Sequence, residues 1–412
     1  MLYEIQPTPY GGRGAFAPSL ILQDTEILSC AGPYASVVLR KFKKEVCILC
    51  FAYAFQSGRS KWTIKPPSDI DCVGIGSGLW FCSETCRDEW AKMYEIRIGE
   101  GGTWFLELCV AFERRVVEMG KIGIGKQGGK SVDSDVKADV ITLDFLDQTW
   151  ALAEETTPPG IKKSARSGWT GVLNEIEVDT ARFLLDGMAR RALEASAESH
   201  ETELSSGRWS EFLELQNNEL VYVRLKPYIL SSQIRIYHFL TQLVSDFFPR
   251  NKVRQPEASS PILLLREYLK TSAVVRALLG RDPGNVFGIW ELTPDEQDSE
   301  MLGWGTYVFG SYFNHSKCFS NWFHAADLGY YLDCDPNIKK RRTGRGVQFY
   351  TLRDIRPGEE LCISYAEDCS VEERAAQLQE WFFVCRCRRC AKERDQTVST
   401  VILIHKSAFH CR

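Results

Sequence analysis

"RDIRPGEELCISYAED", residues 353–368, is the stretch from which the rest of the chain is read. Pro357-Gly358 makes a tight turn, since proline presets φ and glycine tolerates the left-handed region. Glu359 and Glu360 follow as solvated residues. "LCISY" then reads as a buried strand that ends at Tyr365. A tyrosine in that position is ordinarily a packing residue. What changes its meaning is the segment downstream, "WFFVCRCRRC" (381–390), in which Cys385, Cys387 and Cys390 offer three thiolate ligands. Three is one short of a closed tetrahedral zinc site.

A second stretch, "FNHSKCFSNWFHAADLGYYLDCDPN" (313–337), begins Asn-His-Ser and ends Cys-Asp-Pro-Asn, with Lys317–Asp333 between the two ends. Two weaker signals lie far away. "GGRGAFAP" (11–18) holds a Gly-x-Gly turn at Gly12, Arg13 and Gly14, and "GNVFGIWE" (284–291) holds Asn285 ahead of a short strand. Taken alone, each is a plain turn.

The chain has 412 residues, 44% hydrophobic and 25% charged, with a net charge of −4. That composition describes a globular protein of two or three lobes. The acidic balance gives no overall reason to expect direct nucleic-acid binding, although it leaves local patches open. "MLYEIQPTPYGG" lacks the basic and apolar regions of a signal peptide, and no apolar run is long enough for a bilayer. The fifteen cysteines include Cys47-x2-Cys50 and Cys82-x3-Cys86. Such pairs are poor disulfides and good metal clamps, which points to structural zinc in a reducing compartment. Cys30, Cys109, Cys362 and Cys369 read as small buried hydrophobes.

Residues 1–45 carry short-strand signals. Apolar residues then recur at helical spacing over Trp104–Met119, 175–200, 229–248 and 262–279, the last as one helix opening at Pro261. Glycine-, serine- and proline-containing stretches around 120–135 and 154–168 read as loops. From Asn285 short strands return, and a final helix starts near Val371. Strands from both chain ends must share a core, because neither end holds enough apolar surface alone. The fold class is α+β.

These pieces together resemble a SET domain of the SET-and-MYND type, like the fungal members without a C-terminal helical lobe. The resemblance covers about 1–95 and 262–392. It implies a SET β-fold with a pseudoknot, split between 1–45 and 281–370. It also implies a degenerate MYND-type finger at 46–95, a mainly helical insert at 96–280, a zinc cap at 371–392 and a tail at 393–412. The finger would hold one zinc on Cys47, Cys50, Cys82 and Cys86. Of a second ligand set only Cys72 is present, since Ala91, Lys92, Met93 and Tyr94 follow Trp90. In this family the cap's fourth ligand is the cysteine of a continuous Asn-His-Ser-Cys-x-Pro-Asn. Removing Lys317–Asp333 joins Ser316 to Cys334 and restores that motif, so 313–337 is one motif carrying an insertion. Cys334 is then the expected ligand and Cys318 its rival. Two origins stand for the insertion: a surface loop, or translation of a retained intron, since Ser316-Lys317-Cys318 can be encoded with a splice-donor-like string. The tail from Val398 is open to the same intron reading, since Val398-Ser399-Thr400 can also be encoded with a donor-like string.

The resemblance further implies S-adenosylmethionine bound by Gly12, Arg13, Gly14, Asn285, Asn314, His315, Tyr365 and Phe383, with Tyr365 catalytic. The implied activity is methyl transfer to the ε-amine of a histone or other protein lysine. The rival reading is a zinc-stabilised scaffold, impaired in catalysis, that binds protein partners. The expected partners are a substrate protein and a peptide at the finger, without direct nucleic acid or membrane. A monomer in nucleus and cytoplasm is expected.

Overall fold

The computed structural model describes residues 2–8, 12–66, 76–94, 104–123, 137–156, 172–196, 206–250, 261–291, 299–315 and 336–365, with Glu373, Ala376 and Leu378. It is a mixture of helices and short strands, as an α+β chain should be. Two compact units emerge: Met1–Cys30 with Phe309–Arg412, and Ala31–Val308. Among the described residues, no helix is long and apolar enough to cross a membrane.

In the first unit the two chain ends are woven into common sheets. Strand β1 (Glu4–Pro7) pairs antiparallel with β2 (Arg13–Phe16), and β2 pairs antiparallel with β10 (Glu360–Ile363). On its other side β10 takes β7 (Asn314–His315) as a parallel partner. A second sheet has the order β3-β9-β8, from Glu26–Cys30, Gly346–Thr351 and Ile338–Thr343. Its core is apolar and aromatic. The Phe313 ring lies between Tyr3, at 5.5 Å, and Phe349, at 4.7 Å between centroids. Ala15, Ile355, Leu361 and Ile363 are also buried.

The second unit has a sheet of order β4-β6-β5: Ser36–Val38, Met301–Thr306 and Val286–Trp290. β6 approaches β4 so closely that a Cβ on Gly303 would lie 2.1 Å from the Val37 carbonyl oxygen. Val38, Ile289 and Leu302 form one apolar cluster with Phe42, Val46, Phe51 and Tyr53. Helix α1 (Glu84–Met93) starts where Ser83 accepts from the Cys86 N–H at 3.1 Å. Trp90 of α1 is buried against Phe81 and, beyond the finger, Phe105 of α2 (Trp104–Gly123).

The helical block is centred on α4 (Glu175–Ser196), which buries residues around much of its circumference. Asn174 and Glu177 cap its start reciprocally: each main-chain N–H donates to the other's side chain, both at 2.9 Å. Around it run α3 (Leu143–Glu155), α5 (Trp209–Leu213), α6 (Glu219–Leu225), α7 (Tyr228–Arg250), α8 (Pro261–Tyr268) and α9 (Ala273–Arg281). The single helix expected over 262–279 is two. The Leu269 carbonyl accepts from the Tyr237 hydroxyl at 3.2 Å, and the Ser272 N–H donates to Glu154 at 2.6 Å. Partners on neighbouring helices satisfy the backbone at the break, so the helix need not continue. Of the final helix expected near Val371, the described residues Glu373, Ala376 and Leu378 are helical.

One carboxylate ties this unit together. Glu113 of α2, 2% exposed, accepts from Arg40 at 2.7 and 2.6 Å, from Lys43 at 2.8 Å and from Arg182 at 2.9 Å. Burial by itself would raise the Glu113 pKa; Arg182, Arg40 and Lys43 outweigh it and hold it below the ordinary value. Arg182 of α4 also donates to the Ser77 carbonyl at 2.9 Å, reaching the segment before Cys82.

Replacing Glu113 with glutamine leaves three cations around a neutral group. The expected loss is about 3 kcal/mol of unfolding free energy, measured by denaturant titration. Because the folded pKa is depressed, this contribution is present above the unfolded pKa. It disappears as pH falls through the folded value. A variant as stable as the parent at neutral pH would remove Glu113 from this role.

Candidate functional site

Five of the residues singled out in the sequence meet in the first unit: Arg13, Gly14, Asn314, His315 and Tyr365, with Gly12 at the adjoining turn. Gly12 has φ 76° and its carbonyl accepts from the Thr8 N–H at 3.1 Å, closing the β1–β2 hairpin. Arg13 starts β2, and its guanidinium lies 5.3 Å from the centre of the Tyr312 ring. Gly14 is needed for close approach. A Cβ there would fall 2.4 Å from Glu360 Oε1 and 2.8 Å from Asn314 Nδ2.

Asn314 uses that space. Its amide donates to the Arg13 carbonyl at 3.0 Å and to Glu360 Oε1 at 2.8 Å. It thereby bridges β2 and β10 from β7. His315, 3% exposed, accepts the Tyr365 N–H on Nδ1 at 3.0 Å. An accepting Nδ1 puts the proton of the neutral ring on Nε2. The Tyr365 hydroxyl donates to the Phe313 carbonyl at 2.8 Å. Burial pushes the Tyr365 pKa well above the usual tyrosine value, and the nearby Cys362 and Glu360 add to the shift. Tyr365 is thus a neutral hydrogen-bond donor at physiological pH, unsuited to act as a base.

Three residues of this site escaped the sequence reading. Glu359 and Glu360, expected to be solvated, are half-buried and engaged. Glu360 holds Asn314, and Glu359 forms an ion pair with Arg353 and accepts from Asn337 at 3.1 Å. Asn337, 4% exposed, is the closing asparagine of the split motif. Its amide donates to the Glu360 carbonyl at 2.7 Å, and its oxygen accepts from the Cys362 N–H at 2.8 Å. Its place in the rejoined motif was the signal that could have found it.

Asn285 belongs to the second unit. It is 6% exposed and its amide donates to the carbonyls of Gln216, at 2.9 Å, and Arg281, at 2.8 Å. These bonds hold the end of α9. Cys318, Cys334, Phe383, Cys385, Cys387 and Cys390, with the cap they were expected to form, lie outside the described residues.

The finger cysteines do converge. The sulfurs of Cys47, Cys50, Cys82 and Cys86 all lie within 4.8 Å of one another, and both Cys50–Cys82 and Cys82–Cys86 are 3.5 Å apart. Four sulfurs at about 2.3 Å from a central zinc would be about 3.8 Å from each other, so the cluster fits that ion. The left-handed Phe51 (φ 60°) folds the first pair into a knuckle, with its N–H donating to the Cys47 carbonyl at 2.9 Å. Crowding opposes ionisation: the hydrogen bond with Cys50, with burial, pushes the Cys47 thiol up to about 12. A divalent cation reverses that preference by binding the thiolates. Cys72 lies outside the described residues. Ala91 and Tyr94, where a second ligand set would be sought, are buried packing residues.

Comparison with known proteins agrees with this geometry. A SET domain matches residues 12–366. The chain is 25% identical over 408 residues, 95% of both chains, to a protein of Saccharomyces cerevisiae named potential protein lysine methyltransferase SET6. It is 29% identical over 138 residues to a SET and MYND domain-containing protein of Dictyostelium discoideum, covering 33% of this chain and 30% of that one. Over 51 residues it is 43% identical to the human protein-lysine N-trimethyltransferase SMYD5, 11% of this chain and 12% of the relative.

Two measurements check the site. A strong chelator should release about one zinc per chain from the Cys47 cluster and lower the melting temperature; Cys86→Ser should reduce the content measured by atomic absorption. Gly14→Ala should cost about 1–3 kcal/mol through overpacking against Asn314 and Glu360. An unaltered unfolding midpoint would refute that contact.

Proposed function

This chain belongs to the SET-domain family, and we propose that it is an S-adenosylmethionine-dependent protein-lysine methyltransferase. The observation that carries the proposal is the junction of β2, β10 and β7. It gathers Gly14, Asn314, His315 and Tyr365 from segments some three hundred residues apart into one bonded cluster. The rejoined Asn-His-Ser-Cys-Asp-Pro-Asn motif supports the same reading, because both of its described ends bond to β10.

The described residues fit a cofactor with an amino-acid end. Arg13 and Glu360 bring opposite charges to the β2–β10 junction, as a zwitterionic amino-acid end requires, and Gly14 lets the Glu360 and Asn314 side chains close on β2. Gly12, Arg13, Gly14, Asn314 and His315 would hold the cofactor, with Phe383 stacking on its adenine. When bound, the cofactor supplies an electrophilic methyl group on a sulfonium.

The protein's part is to present a neutral amine and exclude water. A free lysine has a pKa of about 10.4, and an apolar channel disfavours its ammonium form. Tyr365 is fixed at both ends, its N–H on His315 and its hydroxyl on the Phe313 carbonyl. Phe313 is itself wedged between Tyr3 and Phe349. Tyr365 would thus offer a stationary phenol to the amine, and orientation provides much of the rate. Zinc on Cys47, Cys50, Cys82 and Cys86 is structural in this reading. A second zinc would sit in the cap on Cys334, Cys385, Cys387 and Cys390. Thiolate ligands of this kind suit a reducing compartment, and we place the protein in nucleus and cytoplasm.

The test is transfer of radiolabel from S-adenosylmethionine to a mixture of histone and cellular proteins. Tyr365→Phe should lower turnover by about two orders of magnitude, on the scale of a misplaced catalytic contact. Cofactor affinity, measured by calorimetry, should change little. Absence of label with the parent protein, despite cofactor binding, would favour the scaffold reading.

A further inference from the structure

The four-cysteine knuckle carries a face that is both basic and aromatic. Lys43 and Lys44 go to different partners. Lys43 reaches the buried Glu113 carboxylate at 2.8 Å. Lys44 is exposed, and its ammonium nitrogen lies 5.9 Å from the centre of the half-buried Trp80 ring. The exposed Lys65 brings a second ammonium to 5.5 Å from the same ring. Two more exposed cations, Arg59 and Lys61, belong to the strap that leads to Lys65.

The backbone fixes this arrangement. Trp62 is buried; its main-chain N–H donates to the Lys44 carbonyl at 2.8 Å and its indole N–H to the Ala52 carbonyl at 3.0 Å. A bridge between Ile64 and Phe81 sets Lys65 beside Trp80 along the chain. The Trp80 carbonyl accepts from the N–H of Ile48, between Cys47 and Cys50, at 3.0 Å. The ring and its cations are thus mounted on the knuckle itself.

A structural explanation exists for the two lysines: each packs its charge on an aromatic face. Contacts of 5.5 and 5.9 Å sit at the outer limit of that interaction, about 6 Å, where it is weakest. Holding two long side chains there also costs rotamer entropy, and their charges repel. Among the described residues, none of Lys44, Arg59, Lys61 and Lys65 makes an ion pair. Asp69 and Asp71 follow in the sequence, outside the described residues. What marks the face is the ring shared by two ammonium groups, and not its net charge.

An aromatic ring with cations at its side is the unit from which single-strand recognition is built: the ring takes a base and the cations take phosphates. A duplex keeps its bases stacked on one another and offers such a ring no partner. A peptide would need apolar pockets for its side chains. Leu79 and Phe81, which flank Trp80 in the chain, are buried, as is Trp62.

We propose that the Lys44–Trp80–Lys65 face binds single-stranded nucleic acid, with a base stacked on Trp80 and phosphates on the lysines. The expectation of no direct nucleic-acid contact rested on overall charge, which left local patches open. The proposal does not depend on methyl transfer, and its test reads binding directly.

The full chain is titrated into labelled oligouridylate RNA, labelled oligothymidylate DNA and a labelled DNA duplex, with fluorescence anisotropy read over a range of salt. The first two probes distinguish the sources of the strand. The parent should bind at least one of them roughly tenfold more tightly than the duplex, with affinity falling as salt rises. Lys44→Gln with Lys65→Gln should weaken binding roughly tenfold and lower the salt slope by about 1.4, the share of two phosphates on a single strand. Trp80→Leu should weaken binding by roughly tenfold, the loss of one stacked base, and leave the salt slope unaltered; Trp80→Phe should restore most of the affinity. If Trp80→Leu folds poorly, photo-crosslinking of the unaltered protein with peptide mapping should still place the strand on 44–65 and 76–80. No binding to either single strand overturns the proposal. So do equal or tighter binding of the duplex, crosslinks confined elsewhere, unaltered affinity in folded variants, or equal affinity for polyglutamate, which would assign the face to an acidic peptide.

Discussion

Everything in the first unit depends on β10 being satisfied from both sides. Its four residues take β2 along one edge and β7 along the other, while Asn337 supplies a side-chain amide to the same strand. Those partners come from residues 13–16, 314–315 and 337, so one short strand fixes the relative positions of three distant segments. An unpaired main-chain group in such a place would cost about 1–3 kcal/mol. Displacing any of these partners exposes the buried neighbours Leu361 and Ile363 to water as well. The geometry around Tyr365 follows from this, since its N–H and hydroxyl both bond to the segment that carries β7.

In the second unit a different device does the equivalent work. The four-cysteine knuckle and α1 form a small module with little core of its own. Glu113 and the cations around it connect that module's surroundings to α2 and α4. Trp90, packed on Phe81, Tyr94 and Phe105, provides the apolar counterpart of that connection. Ligation and burial thus reinforce each other. Zinc would hold the knuckle's own conformation, whereas the buried carboxylate and the aromatic cluster hold it against the helices.

What could be read from sequence was the local chemistry: the Pro357-Gly358 turn, the cysteine spacings, and the short buried run that marks β10. These properties are set by neighbouring residues and need no knowledge of the fold. Glu360 was misread for the opposite reason. A glutamate after a turn looks solvated until the absent side chain of Gly14 and the amide of Asn314 arrive beside it, from the two ends of the chain. The break between α8 and α9 was hidden in the same way, because Tyr237 and Glu154 decide it from other helices. Asn285 has a structural part that its motif did not announce: its amide donates to the carbonyls of Gln216 and Arg281.

The interrupted motif raises a sharper question, namely how a site tolerates Lys317–Asp333 between its halves. The answer lies in where the halves are anchored. Asn314 and His315 pair along β10, and Asn337 bonds to Glu360 and Cys362 of the same strand. The two ends are therefore fixed independently by β10, and neither relies on the intervening chain for its position. Lengthening a connection between ends already held together costs little, about 0.6 kcal/mol for each doubling. This holds whether the insertion arose as a surface loop or as translated intron, since both present the same fixed ends. Cys334, the cap ligand of the proposed reading, lies outside the described residues. Among the described residues, the insertion leaves the bonded cluster of Gly14, Asn314, His315 and Tyr365 intact.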